Sequence, residues 1–239
     1  MTTWPATAHE LIRLQQALGQ MTPARWQPPA TLRRIGACFI CFERVQGVGS
    51  AGDRGFAGAA VTAGRRLLAG VTAAGPAGGP YLPALLALRE GRLLEQAVRA
   101  LPIAPEVLVV NATGRDHPRR AGLALHLGAS LGLPTVGVTT RPLLAEGSWP
   151  PDQRGATAPL RLGGDVVGCW IRTRAGPSRW PCTPPGRPTS RPRSRWCWPR
   201  PVVLAPRSRC AGPARWPEPG GPAPDVAEEQ VASGSRLPS

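Results

Sequence analysis

Val107-Leu-Val-Val-Asn111-Ala-Thr-Gly114-Arg-Asp116-His117-Pro-Arg119-Arg120, followed by Ala121-Gly-Leu-Ala-Leu-His126 and by Leu133-Pro-Thr-Val-Gly-Val138, is the stretch that decides the architecture of this chain. The apolar run over 106–110 predicts a short buried strand, and the residues after it a polar loop carrying Asp116 and His117. The arginine pair opens a helix predicted over 119–131, and 135–139 reads as a second buried strand. Strand, helix and strand at this spacing require parallel pairing through a crossover helix. Ligands of open α/β sheets collect outside the carboxyl ends of parallel strands, where Asn111 and Thr139-Thr140 fall. An arginine pair at a helix start beside such an edge suits phosphate.

Upstream, Thr7-Ala-His-Glu10 has the spacing of a capping box, and Leu11, Leu14 and Leu18 follow at helical intervals. Residues 34–42 form an apolar, β-prone run. A loop over 47–55 leads to strands over 56–63 and 65–73 joined at Gly64, an antiparallel meander. Residues 83–101 carry a long apolar helical face that Gly91 bends or interrupts. The class is therefore α/β, with a mixed sheet of three antiparallel strands and then parallel strands, flanked by helices. Residues 165–173 make a last strand.

The wording of the central loop resembles endonuclease V, a deoxyinosine-specific repair nuclease family. Its corresponding segment runs from a strand ending in Asp through a Gly-rich loop to His-Pro-Arg-Arg. A second match lies upstream, where Pro80-Tyr-Leu-Pro83 and Leu88-Arg-Glu90 are similar to the family's Pro-Tyr-Ile-Pro wedge and its Phe-Arg-Glu. Both motifs occur in the right order and at the right separation. The resemblance covers roughly residues 8 to 175. It implies a ribonuclease H-like fold and Mg²⁺-dependent hydrolysis (Mn²⁺ as substitute) of a phosphodiester bond 3′ to deoxyinosine, or to inosine in RNA.

By that resemblance Glu90 is a metal ligand and catalytic group, and His117 a second catalytic group. Pro80, Tyr81, Leu82 and Pro83 form a rigid wedge that enters the base stack, as base-flipping proteins require. Gly114, Arg119 and Arg120 contact DNA. The family's other two carboxylates are replaced, the first-strand Asp by Cys38 and the strand-ending Asp by Asn111, and its lysine is matched by Thr140 or Arg141. Asn111 still offers a carbonyl oxygen to a metal, whereas a thiol suits a hard cation poorly. Asp53 and Asp116 are the nearby acids that could complete a metal site. Against that, Asp53 fits the cap of a Gly-rich turn and Asp116 a loop or helix start. The alternative function is a non-catalytic binder of inosine-containing nucleic acid, and a third reading is a damaged gene product without activity.

The chain has 239 residues and a formal net charge of +15, room for one domain and a tail. All 29 basic residues are arginine, which fits GC-rich coding as well as phosphate binding. No stretch has the pattern of a signal peptide or approaches the ~18 apolar residues of a membrane span, so the expectation is a cytoplasmic monomer with nucleic-acid partners and no membrane. Cys38 and Cys41 point to opposite faces of one strand and cannot share a metal, so both read as buried free thiols.

The domain is expected over 1–176 and a disordered Pro/Arg-rich tail over 177–239. About half of the 30 prolines fall in that tail, and no acid occurs between Asp165 and Glu218. One reading is a basic, tryptophan-bearing arm for nucleic acid. The preferred one is a slipped reading frame near 175–179. Residues 179–186 and 189–198, written in GC-rich codons and shifted by one base, permit a strand with a histidine and then an amphipathic helix, which resembles the end of the family's domain.

Overall fold

The computed structural model describes residues 4–21, 26–43, 49–175 and 202–204, the last three as backbone. One sheet carries eight strands: β1 (Ile35–Phe42), β2 (Arg54–Ala63), β3 (Arg66–Pro76), β4 (Val107–Val110), β5 (Thr135–Thr139), β6 (Thr157–Leu162), β7 (Asp165–Ile171) and β8 (Val202–Leu204). Their spatial order is β3-β2-β1-β4-β5-β8-β7-β6. The first three strands form the expected antiparallel meander, while β1–β4 and β4–β5 are parallel. The helices are α1 (Ala8–Gln20), α2 (Leu86–Arg99) and α3 (Leu123–Leu131). This is the α/β mixed sheet expected from the element order, in the ribonuclease H-like arrangement that the family resemblance implies.

The main core lies between the sheet and its helices. Cys38 and Ile40 of β1 and Ala57, Ala59 and Val61 of β2 meet Leu88, Leu93, Leu94, Ala97 and Val98 of α2, with Leu123 and Leu127 of α3 beyond them. Strand alternation turns Phe39 and Phe56 to the other face, where both are exposed. Farther along that face Trp26 packs on Val107 and Val136.

The capping box at Thr7 forms as its spacing predicts, with Glu10 N–H donating to Thr7 Oγ1 at 3.2 Å and Thr7 N–H to Glu10 Oε2 at 3.3 Å. Several expectations change. Helix α2 begins at Leu86 rather than 83, because Ala84 has φ +61°, outside the helical region. Helix α3 begins at Leu123 rather than 119, because Arg120 has φ +56°. Residues 157–162 pair with β7 as an unforeseen hairpin strand. The tail supplies β8, whose Val202 and Val203 are β-branched and free of proline, so the expectation of disorder fails at those three residues. Cys38 is buried and Cys41 exposed, so the opposite-face argument holds while the reading of Cys41 as buried does not.

Gly91 neither bends nor breaks α2. It is a socket: a Cβ there would lie 2.1 Å from Cζ3 of Trp4. The Trp4 indole also stacks on His126, centroids 4.3 Å apart, and donates its Nε1–H to Glu95. Glycine to alanine inside a helix ordinarily stabilises, but here the sign reverses. Gly91→Ala is expected to destabilise by about 1–3 kcal/mol through overpacking, read as a lower denaturant midpoint at unchanged slope.

His126 is buried, in keeping with a packing role, and burial pushes its pKa down to about 4 against the pull of Glu95. The unfolded imidazole takes its proton near 6.5, so between pH 6.5 and 4 the unfolded chain holds more protons. This group's contribution is complete above about pH 7 and is lost as pH falls, by about 3 kcal/mol in all. His126→Phe is expected to flatten that part of the melting-temperature profile.

Candidate nucleic-acid site

The parallel register Cys38↔Val110 sets the first-strand position beside the end of β4 and places Asn111 one residue beyond it. Glu90, in the second turn of α2, faces the same point: its charge and, more strongly, burial push the Cys38 thiol up to about 12. Burial also pushes Glu90 up to about 7, although Arg89 pulls the other way. Asn111 is exposed at the loop start. Glu90 and Cys38 thus interact in the fold, and Asn111 follows directly on the strand residue paired with Cys38. The set offers one carboxylate, one neutral amide and one protonated thiol.

The two acids proposed to complete it lie elsewhere. Asp53 accepts from Arg89 Nη2 at 2.7 Å and from Ser50 N–H at 2.7 Å, and the Arg89 hydrogen bond holds its pKa down. It closes the turn before β2. Asp116 is 2% exposed, with Oδ1 accepting from Leu144 and Ala145 N–H at 2.8 Å each and Oδ2 from Leu143 N–H at 2.5 Å. It pins the strand-to-hairpin crossing and faces no open site. Among the described residues no three His, Cys, Asp or Glu side chains gather as metal ligands.

The Pro80–Pro83 loop projects from the same region. Tyr81 is 50% exposed and Leu82 36%. Beneath them Arg89 is buried, its guanidinium 3.9 Å from the Phe42 ring centroid and its Nη1 donating to Ser50 O (2.6 Å) and Gly79 O (3.2 Å). Tyr81 N–H donates to Gly49 O at 2.8 Å. The tip is apolar and offered to solvent while its base is fixed. Arg89 sits inside the quoted Leu88-Arg-Glu90 motif, yet its anchoring role was not foreseen; an arginine on the apolar face of a helix was the available signal.

His117 is 2% exposed. Its Nδ1 accepts from Arg119 N–H at 3.2 Å, so its proton lies on Nε2, 2.9 Å from Ala84 O. Burial holds its pKa down. The ring therefore faces the end of the wedge loop. Arg119 donates to Gln15 Oε1 (2.7 Å) and Ala84 O (3.2 Å), and Arg120 to Leu162 O (2.8 Å). With α3 starting three residues later, the pair does not open a helix as expected. Gly114 is buried, its carbonyl accepting from Gly122 N–H at 2.8 Å, and it too shapes the loop from inside.

The pattern that defines Endonuclease V matches residues 32–180. The chain belongs to the endonuclease V family. Endonuclease V of Streptomyces avermitilis is 37% identical over 174 residues, 72% of this chain and 74% of that one. Endonuclease V of Nocardia farcinica is 39% identical over 181 residues, with shares of 72% and 74%. The crystal structure of the S. avermitilis protein superposes with a TM-score of 0.68 at 32% identity, over 86% of this chain and 79% of that one. An endonuclease V from Ciona intestinalis, crystallised with DNA containing an inosine followed by a ribo-adenosine, shares the fold at TM-score 0.57 and 15% identity, covering 84% and 83%. Endonuclease V proteins are nucleases acting on phosphodiester bonds, and the chain's resemblance in motif is thereby matched in fold.

Proposed function

We propose that this endonuclease V-family chain acts as a monomer on nucleic acid containing a deaminated base, deoxyinosine in DNA or inosine in RNA. The observation that carries this reading is the juxtaposition of an exposed, base-anchored Tyr81–Leu82 tip with Glu90, which faces Cys38 of β1 beside the carboxyl end of β4. An aromatic-apolar tip on a stiff loop unstacks a duplex at a weakly paired base, and aromatic stacking on the exposed bases holds the opened strand. Hydrolysis is proposed at a phosphodiester bond 3′ to the base.

Mg²⁺, the family's cofactor, would activate water and stabilise the reacting oxygens. The residues here do not fit it. One carboxylate remains, a neutral amide offers one carbonyl oxygen, and a thiol pushed up to about 12 is not a ligand for a hard cation. This chemistry favours a second reading: recognition persists and cleavage is strongly reduced. Glu90, pushed up to about 7, is the group left to move a proton at neutral pH.

The test is an end-labelled duplex with one deoxyinosine, incubated with Mg²⁺ or with EDTA, alongside Glu90→Gln. We expect inosine-selective binding in both buffers and slow nicking that Glu90→Gln removes. Equal affinity for the duplex without deoxyinosine would overturn the reading.

We also propose the frame slip for residues beyond about 175, all of which except β8 lie outside the described residues. Its support is that the family match ends at residue 180, where the composition changes. Stop codons soon after residue 180 in the displaced frame of the gene would exclude it.

A further inference from the structure

Three side-chain donors from two distant segments converge on one backbone carbonyl. Ala84 O accepts from Gln15 Nε2 at 3.1 Å, His117 Nε2 at 2.9 Å and Arg119 Nη2 at 3.2 Å. Ala84 directly follows Pro83 and holds φ +61°, a left-handed conformation that a non-glycine residue keeps only when its surroundings impose it. Gln15 is 1% exposed on α1, and its Oε1 accepts from Arg119 Nε at 2.7 Å, so the donors brace one another. A carbonyl has two lone pairs, and three donors saturate it. A buried glutamine on an apolar helix face otherwise costs free energy, which its two hydrogen bonds here offset.

The opposite end of the loop is held as firmly, by Gly49 O on Tyr81 N–H and by Arg89 on Gly79 O. Between these fixed ends only the apolar tip is open to solvent.

We propose that Gln15, with His117 and Arg119, is a positioning device that fixes the left-handed turn at Ala84 and so aims the Tyr81–Leu82 tip into the base stack. His117 then acts through the loop and does not touch the scissile phosphate. The proposal rests on the reading of residues 80–83 as a wedge. A tip on a loose hinge yields when pressed against stacked bases; a tip on a clamped one transmits the force.

The test uses the full chain and a duplex with 2-aminopurine beside deoxyinosine, whose fluorescence rises on unstacking, together with a single-stranded deoxyinosine oligonucleotide that has no duplex to open. Gln15→Met keeps the length and removes both hydrogen bonds. It is expected to lower duplex affinity and the fluorescence rise about tenfold while single-strand binding changes less than about twofold. A merely structural role would weaken both substrates alike, and that result overturns the proposal. Arg119→Met, at a half-buried position, removes two hydrogen bonds of the same clamp, to Gln15 Oε1 and to Ala84 O; it is expected to show the same selective loss and decides the matter if Gln15→Met does not fold. Tyr81→Ala separates the two layers: if it leaves duplex selectivity intact, the wedge reading fails and the clamp with it. If Tyr81→Ala loses selectivity while Gln15→Met and Arg119→Met keep it, the clamp alone is wrong.

Discussion

Replacing Cys38 and Asn111 together by aspartate is expected to raise metal-dependent nicking beside a deoxyinosine by at least about a hundredfold, the scale on which single electrostatic contributions to a transition state act. The Coulombic reach of Glu90 to Cys38 puts the first new carboxylate beside the surviving one, and the register Cys38↔Val110 puts the second one residue past the adjacent strand end. Glu90 is already pushed up to about 7, so two further acids repel it. The double variant should therefore melt lower than the parent in EDTA and regain stability on adding Mg²⁺, by about 2.7 kcal/mol at a concentration of a hundred times Kd. The parent chain should show no such recovery. Nicking by the parent at the rate of the double variant would show that the site works with one carboxylate and would refute the argument from donor chemistry.

Asp116→Ala is expected to destabilise the domain by about 3–5 kcal/mol, because it strands three backbone N–H groups that share one buried carboxylate. Asp116→Asn keeps one acceptor oxygen and should fall between. Denaturant unfolding gives the magnitudes. The pair of variants also decides between structure and chemistry: were Asp116 a metal ligand, Asp116→Asn would abolish nicking with stability unchanged. The geometry requires the reverse order, stability falling first and inosine recognition surviving in whatever fraction folds.

Strand and helix order was legible because hydrophobic runs of four to eleven residues announce themselves one at a time. The meander, the two parallel strands and the capping box at Thr7 were each carried by local pattern. Helix starts were not, since α2 and α3 are delayed by left-handed residues, Ala84 and Arg120, whose side chains give no warning of that conformation. The hairpin strand 157–162 was missed because Pro159 and the exposed charges of 154–163 obscure its alternation.

At the site, motif spacing picked out Glu90 and Cys38, which interact in the fold, and Asn111, which follows the end of β4. It failed on the second choices, because an acid near a site in sequence can be committed elsewhere in space. Asp53 answers a buried arginine and Asp116 a set of backbone amides, and neither partner is adjacent in the chain. Gln15 was visible as the one polar residue on the stripe of Leu11 and Leu18, but only the fold shows that it reaches across to residue 84.

The socket at Gly91 bears on how the protein should be produced. Every family motif lies downstream of residue 30, so a recombinant chain begun at Ala8 would keep all of them and look complete on a gel. It would also lack Trp4, leaving a bare groove along α2, His126 without its stacking partner and Glu95 short of one donor. Such a product is expected to be less stable for want of a ring that packs on α2 beside Glu90. A purification tag is better fused where it leaves Trp4 in its socket.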